Sequence, residues 1–158
     1  MIANYTPEDI RAVLPDEYKV VASRFIALAE KHNLKPDVRH NSAKAAWKCA
    51  YTLKKPKRIL FTVWTAPEEF RIKANLRGVD QYLSNCALSE EIKCQMLDNA
   101  LDCADCEKYR CSGVQFSLDG QPYKKCIFGA FTFIDLSVEG FHMVAELIER
   151  EIESVVQK

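Results

Sequence analysis

Glycine is scarce in this chain. There are five in 158 residues, and none stands in a GxGxxG or GxxxxGK setting. That excludes a nucleotide loop built on glycine. Histidine is scarcer: His32, His40 and His142 do not group, and no HExxH, Ser-His-Asp order or closely spaced Cys-His pair is present. Glu68 and Glu69 sit at a turn and Asp119 in a hairpin, with no visible partner for acid–base work. No enzyme constellation is legible. Long apolar runs are also missing. The longest, Cys126–Phe133, is interrupted by Gly and Thr and falls far short of the roughly 20 residues a membrane span needs. The opening MIANYTPEDIRAVL lacks the basic start, apolar core and small-residue cleavage site of a signal peptide. The expectation is a cytoplasmic protein without membrane contact.

Apolar residues make up 48% of the chain and charged residues 28%. This composition fits one compact domain, residues 1–158. The net charge is zero but uneven: residues 35–77 hold eleven basic and three acidic side chains, and residues 78–158 hold seven and fourteen.

Thr6, Pro7 and Asp9 predict a short capped helix over 6–14, which Leu14-Pro15 breaks. Val21, Phe25 and Leu28 predict a second helix over 16–32, ended by Asn33 and Pro36. From about 45 the period becomes two. Trp47, Cys49, Tyr51 and Leu53 alternate with polar or small residues, Ile59 to Trp64 is mostly apolar, and Phe70, Ile72, Ala74 and Leu76 alternate with Arg71, Lys73 and Asn75. This reads as a three-stranded antiparallel meander with one apolar and one basic face. A helical turn at 78–84, a helix over 89–100 capped by Ser89, and a hairpin turning at Asp119-Gly120 follow. The returning strand runs through Tyr123–Phe128, and Phe131 and Phe133 extend the apolar pattern. A last helix starts near Ser137, with Phe141, Val144, Ile148, Ile152 and Val155 in one stripe. The expected fold class is α+β: an antiparallel sheet of about five strands packed against N- and C-terminal helices.

Seven cysteines are many for a cytosolic chain, and a reducing compartment argues against disulfides. Cys103-Ala-Asp-Cys106 is followed by four residues and Cys111, then by fourteen residues and Cys126. The hairpin returns Cys126 beside Cys111. Four convergent thiolates match a closed tetrahedral structural zinc site, a knuckle at 101–127. Iron accepts the same ligands, but nothing else here is built for electron transfer. Lys108, Arg110, Lys124 and Lys125 can offset the cluster's negative charge. Cys94 or Cys86 can replace an assigned ligand, and Cys49 reads as a core residue. The alternative is a thiol redox pair, Cys103 and Cys106, which the neighbouring Asp102, Asp105 and Glu107 disfavour.

Lys55, Lys57, Arg71, Lys73 and Arg77 lie on the basic face of the meander or at its turns. They are candidates for anion or nucleic-acid contact, although most aromatic residues fall on the core-facing positions. Trp47, Tyr51, Trp64 and Tyr123 are candidates to line a small-molecule pocket between sheet and helices.

The run Trp47-Lys-Cys-Ala-Tyr51, then Arg58–Trp64, Phe70–Leu76 and the amphipathic His142–Glu151 resembles small uncharacterised bacterial α+β proteins. In these a helix, an antiparallel sheet and a final helix make one domain, and the cysteine knuckle would be an insertion. The resemblance implies a fold and transfers no catalytic residue. The reading is therefore a zinc-stabilised cytoplasmic protein that binds a small ligand or a protein partner. A nucleic-acid-associated protein is the first alternative and the redox protein the second. Acidic helices beside a basic sheet are compatible with a homo-oligomer.

Overall fold

The computed structural model describes residues 3–104, 111–127, 129 and 131–156. In chain order the elements are α1 (Pro7–Val13), α2 (Asp16–Lys31), β1 (Lys35–Asn41), β2 (Ala46–Leu53), β3 (Arg58–Ala66), β4 (Glu69–Ala74), α3 (Glu90–Asp98), β5 (Val114–Leu118), β6 (Gln121–Lys125), β7 (Phe131–Ile134) and α4 (Val138–Val156). Short 3₁₀ turns at Ser42–Lys44, Val79–Gln81 and Leu83–Asn85 link them. The fold is α+β, as the periodicities predict. At the first helix the Asp9 carboxylate accepts the Thr6 N–H at 2.7 Å, the acidic half of a capping box. At α3 the Ser89 hydroxyl accepts the Ile92 N–H at 3.4 Å.

Five strands form one antiparallel sheet in the order β1-β2-β3-β4-β7. Two expectations change. Residues 35–41, to which the sequence pattern assigns no strand, form the edge strand β1; an edge strand tolerates Pro36 where a central one would not. The hairpin β5–β6 does not extend the sheet. It is a separate two-stranded sheet ending at Lys125, and β7 takes the fifth place against β4. Its buried residues Val114, Phe116 and Leu118 explain why. They face the core, and Phe116 meets Phe131 edge-on at 5.5 Å, so the hairpin packs where it was expected to pair.

Helices α2 and α4 cover one face of the sheet. Phe25 packs on Phe61 at 5.5 Å between ring centroids, and Phe70 sits between Tyr18 and Phe141 at 4.9 and 5.0 Å. Cys49 is fully buried there, and burial pushes its thiol up to about 11, so it stays protonated and inert. The buried hydrophobic residues form one cluster running from Ile10 to Ile152. Helix α3 closes the free edge of β7 with side chains. The Gln95 amide donates to Ile134 O at 2.9 Å and accepts from Ile134 N at 2.7 Å, and Asn99 donates to Thr132 O at 2.9 Å. These bonds satisfy strand groups that would otherwise be a template for another chain. No helix among the described residues is long and apolar enough to cross a membrane.

A clasp joins α2 to α4. Lys31 and His32 both reach the Glu149 carboxylate, which is 18% exposed. The hydrogen bond from Lys31, helped by His32, holds that carboxyl below its usual value. A depressed carboxyl contributes stability above its unfolded value, about 4.3, and loses it as pH falls through the folded value. Glu149→Gln should therefore flatten the loss of stability on acidification below about pH 5 and cost roughly 0.5–1 kcal/mol at neutral pH. Urea midpoints measured against pH check both.

Candidate functional site

The open face of the sheet carries the basic residues. Strand alternation and register place Arg39, Lys48, Trp64 and Arg71 in one row across β1 to β4. The next row holds Asp37, Ala50, Thr62 and Lys73. Lys48 and Lys73 are exposed, whereas Ala50 and Thr62 are small and lie low between the long side chains. The Arg71 guanidinium stands over the Trp64 ring, 4.7 Å from its centroid, and Glu69 fixes it there by an ion pair. Beside Trp64, the end of β1, the 3₁₀ turn and the start of β2 bound a groove of about 570 Å³, whose lining includes Arg39, Asn41, Lys44, Lys48 and Trp64. A second cavity, about 270 Å³, lies by Tyr18 and Phe70 and carries Glu68, Glu69 and Asp135, so its character is acidic.

The predicted contact residues are therefore split. Arg71 and Lys73 are on the open face. Lys55 and Lys57 are exposed in the β2–β3 turn, and Arg77 is exposed beyond the end of β4. The four aromatic residues do not share one pocket. Tyr51 is 3% exposed and stacks on Phe61 in the core at 4.6 Å. Trp47 stacks on His40 at 4.1 Å at the core margin. Trp64, on the adjacent strand, points to the other face, because it pairs with Lys48 while Trp47 pairs with Thr65. Tyr123 lies on the hairpin against Phe116. Sequence reasoning missed Arg39, Lys44 and Lys48 as groove residues. Residues 35–41 had not been read as a strand, so nothing placed Arg39 beside Lys48.

Cys103, Cys111 and Cys126 lie near the base of the hairpin. Segment 101–103 runs antiparallel to 124–126: Cys103 N–H donates to Lys124 O at 3.1 Å, and Cys126 N–H to Leu101 O at 2.7 Å. The Gly113 N–H donates to Cys111 Sγ at 3.2 Å. Gly113 has φ +71°, and a Cβ there would stand 2.9 Å from Lys125 O and 3.0 Å from Cys103 Sγ. A side chain at this position would crowd both, so the turn requires glycine. Cys106 lies outside the described residues. Among the described residues no three His, Cys, Asp or Glu side chains converge as a bound metal would require.

Of the predicted charge-offsetting lysines, Lys125 is committed elsewhere. Its ammonium, 7% exposed, donates to Leu97 O and Asp102 Oδ1 at 2.7 Å each, capping the C-terminal end of α3. Cys94 is exposed on α3, and the Cys86 thiol donates to Tyr82 O at 3.5 Å.

One polar site went unpredicted. Glu151, 1% exposed, accepts from Arg58 at 2.7 Å, from the Tyr82 hydroxyl at 2.6 Å and from Gly78 N–H at 3.0 Å. Arg58 also donates to Asn75 O at 2.7 Å. Burial, reinforced by the carboxylate, pushes the Tyr82 hydroxyl well above its usual value and keeps it a donor. The network ties β3, the 75–82 segment and α4 together. Arg58, one of the basic residues of 35–77, is turned inward by it.

Compared with family models, with curated proteins and with solved structures, the chain matches none.

Proposed function

We propose that the protein is a binding domain stabilised by a structural zinc ion held by Cys103, Cys106, Cys111 and Cys126. The observation that carries the metal reading is the pair of sulfurs at Gly113. A backbone N–H aimed at Cys111 Sγ is what a metal-bound thiolate uses to stabilise its charge, and the Cys103 sulfur stands against the same glycine. The ion and the segment bearing Cys106 would complete the tetrahedron. Four sulfurs leave no open position for a reacting water, so the metal's work is structural. Ligand or partner binding then falls to the open sheet face, where the exposed cations stand.

Protein purified anaerobically without chelator should contain about one zinc per chain, and Cys111→Ser should lose it; less than about 0.2 equivalents in the wild type overturns the reading. Thiol titration separates the redox alternative. Protection of Cys103 and Cys106 until a chelator is added supports the zinc site, and two fast-reacting thiols with metal present oppose it.

A further inference from the structure

The groove beside Trp64 combines two chemistries. One is cationic: Arg39, Lys44 and Lys48 line it; Arg39 is paired with Asp37 at 3.1 Å, whereas Lys44 and Lys48 are exposed and make no ion pair with the described residues. The other is a flat aromatic ring. Arg71 covers Trp64 at 4.7 Å and, being held by Glu69, braces the indole, while the ring also lines the groove. At about 570 Å³ the groove has the size of a small-molecule site, which typically runs to about 300–1,000 Å³. A simple anion would use the cations and leave the ring unused. A planar ring bearing a phosphate uses both.

We propose that this groove binds a nucleotide unit, its base laid against Trp64 and its phosphate held by Lys44, Lys48 and Arg39. The proposal rests on the reading of the protein as a binding domain and not on its metal. The same chemistry is offered by a free nucleotide and by one unit of a single strand, whose next phosphates would run towards Lys73 along the low row of Ala50 and Thr62.

The chain has two tryptophans, so Trp47→Phe leaves Trp64 as the sole indole reporter. Adenosine monophosphate and an oligoadenylate are titrated into that variant at low salt, with calorimetry on the wild type as a check that the substitution is harmless. Saturable quenching of Trp64 is expected, weakened about tenfold or more by Lys44→Ala with Lys48→Ala, two exposed positions whose fold contacts are made by the backbone, which alanine keeps. Quenching by the mononucleotide identifies a free nucleotide as the source; quenching by the oligomer alone, with a steep salt dependence, identifies a single strand. No quenching and no heat from either up to about 1 mM overturns the proposal. So does displacement by pyrophosphate at equal affinity, which marks a phosphate site without base recognition. So does polyglutamate competing as well as the oligomer, which marks an acidic-peptide surface. Zinc is assayed on the same samples, so binding by a zinc-free protein separates failure of the metal reading from failure of this one.

Discussion

Glu151→Ala is expected to destabilise the protein by about 3–5 kcal/mol, a large fraction of the total stability of a domain this size. The cost is not the lost value of one ion pair. It arises because the substitution leaves Arg58, Tyr82 and the Gly78 N–H without their shared acceptor at a buried site. Arg58 is only 15% exposed, and its Nε is already buried without an acceptor, so it cannot recover its lost partner by a small rotation. Tyr82→Phe, which removes one donor and leaves no charge stranded, should cost only about 1–2 kcal/mol. The sharper test replaces both ions: Glu151→Leu with Arg58→Met should recover part of the single-variant loss, because neither charge is then buried alone. Urea midpoints for the singles and the double give the coupling directly. A double as unstable as the sum of its singles would show that the two residues act separately, and that the network is not the link between β3 and α4.

Glu151 also marks what the sequence could and could not disclose. The stripe Phe141, Val144, Ile148, Ile152, Val155 is plain at helical spacing, and Glu151 falls three residues after Ile148 and four before Val155. A carboxylate in a core position is a readable signal of a buried partner. The partner was not readable, since Arg58 stands 93 residues away among ten other basic side chains of residues 35–77. The meander was legible because period two and the turn residues agree over 46–74. Strand β1 was not, because Pro36, Asp37 and His40 have weak strand propensity and the segment is held by its pairing with β2. The hairpin β5–β6 was legible as a hairpin from Val114, Phe116, Leu118 and Asp119-Gly120, but alternation reports only that one face is buried. It says nothing about whether the hairpin joins a sheet or packs against it. The face of Trp64 was open to inspection too. It follows from counting back two residues at a time to Thr62, against the core pair Phe61 and Val63. A bulge where Tyr51 and Thr52 meet β3 buries both Leu60 and Phe61 and obscures that count.

Chelation is the second perturbation with a large expected effect. A site that binds only the folded chain adds about 4 kcal/mol of stability when free metal exceeds the dissociation constant a thousandfold. If the four cysteines hold zinc, chelator under reducing conditions should remove an amount of that order. The loss should be local first. Cys103 and Cys126 tie segment 101–103 to the end of β6, and Cys111 lies immediately before β5, so amide protection should vanish from Val114–Lys125 before it falls in β2, β3 and α4. Val114, Phe116 and Leu118 bury themselves in the same cluster as the sheet and its helices, but the hairpin shares no backbone ladder with that sheet. Gly113→Ala supplies an independent test, because glycine contributes no ligand. Its Cβ would meet Lys125 O at 2.9 Å and Cys103 Sγ at 3.0 Å, at a φ of +71° that L residues avoid. The variant should lose at least about 1–2 kcal/mol from backbone strain alone, and should also release metal faster than the wild type. Cys94→Ser, at an exposed helical position, should keep both stability and metal. If Gly113→Ala lost stability while wild type and variant were equally metal-free, the strained turn would stand as a structural hairpin device, and zinc would have no part in it.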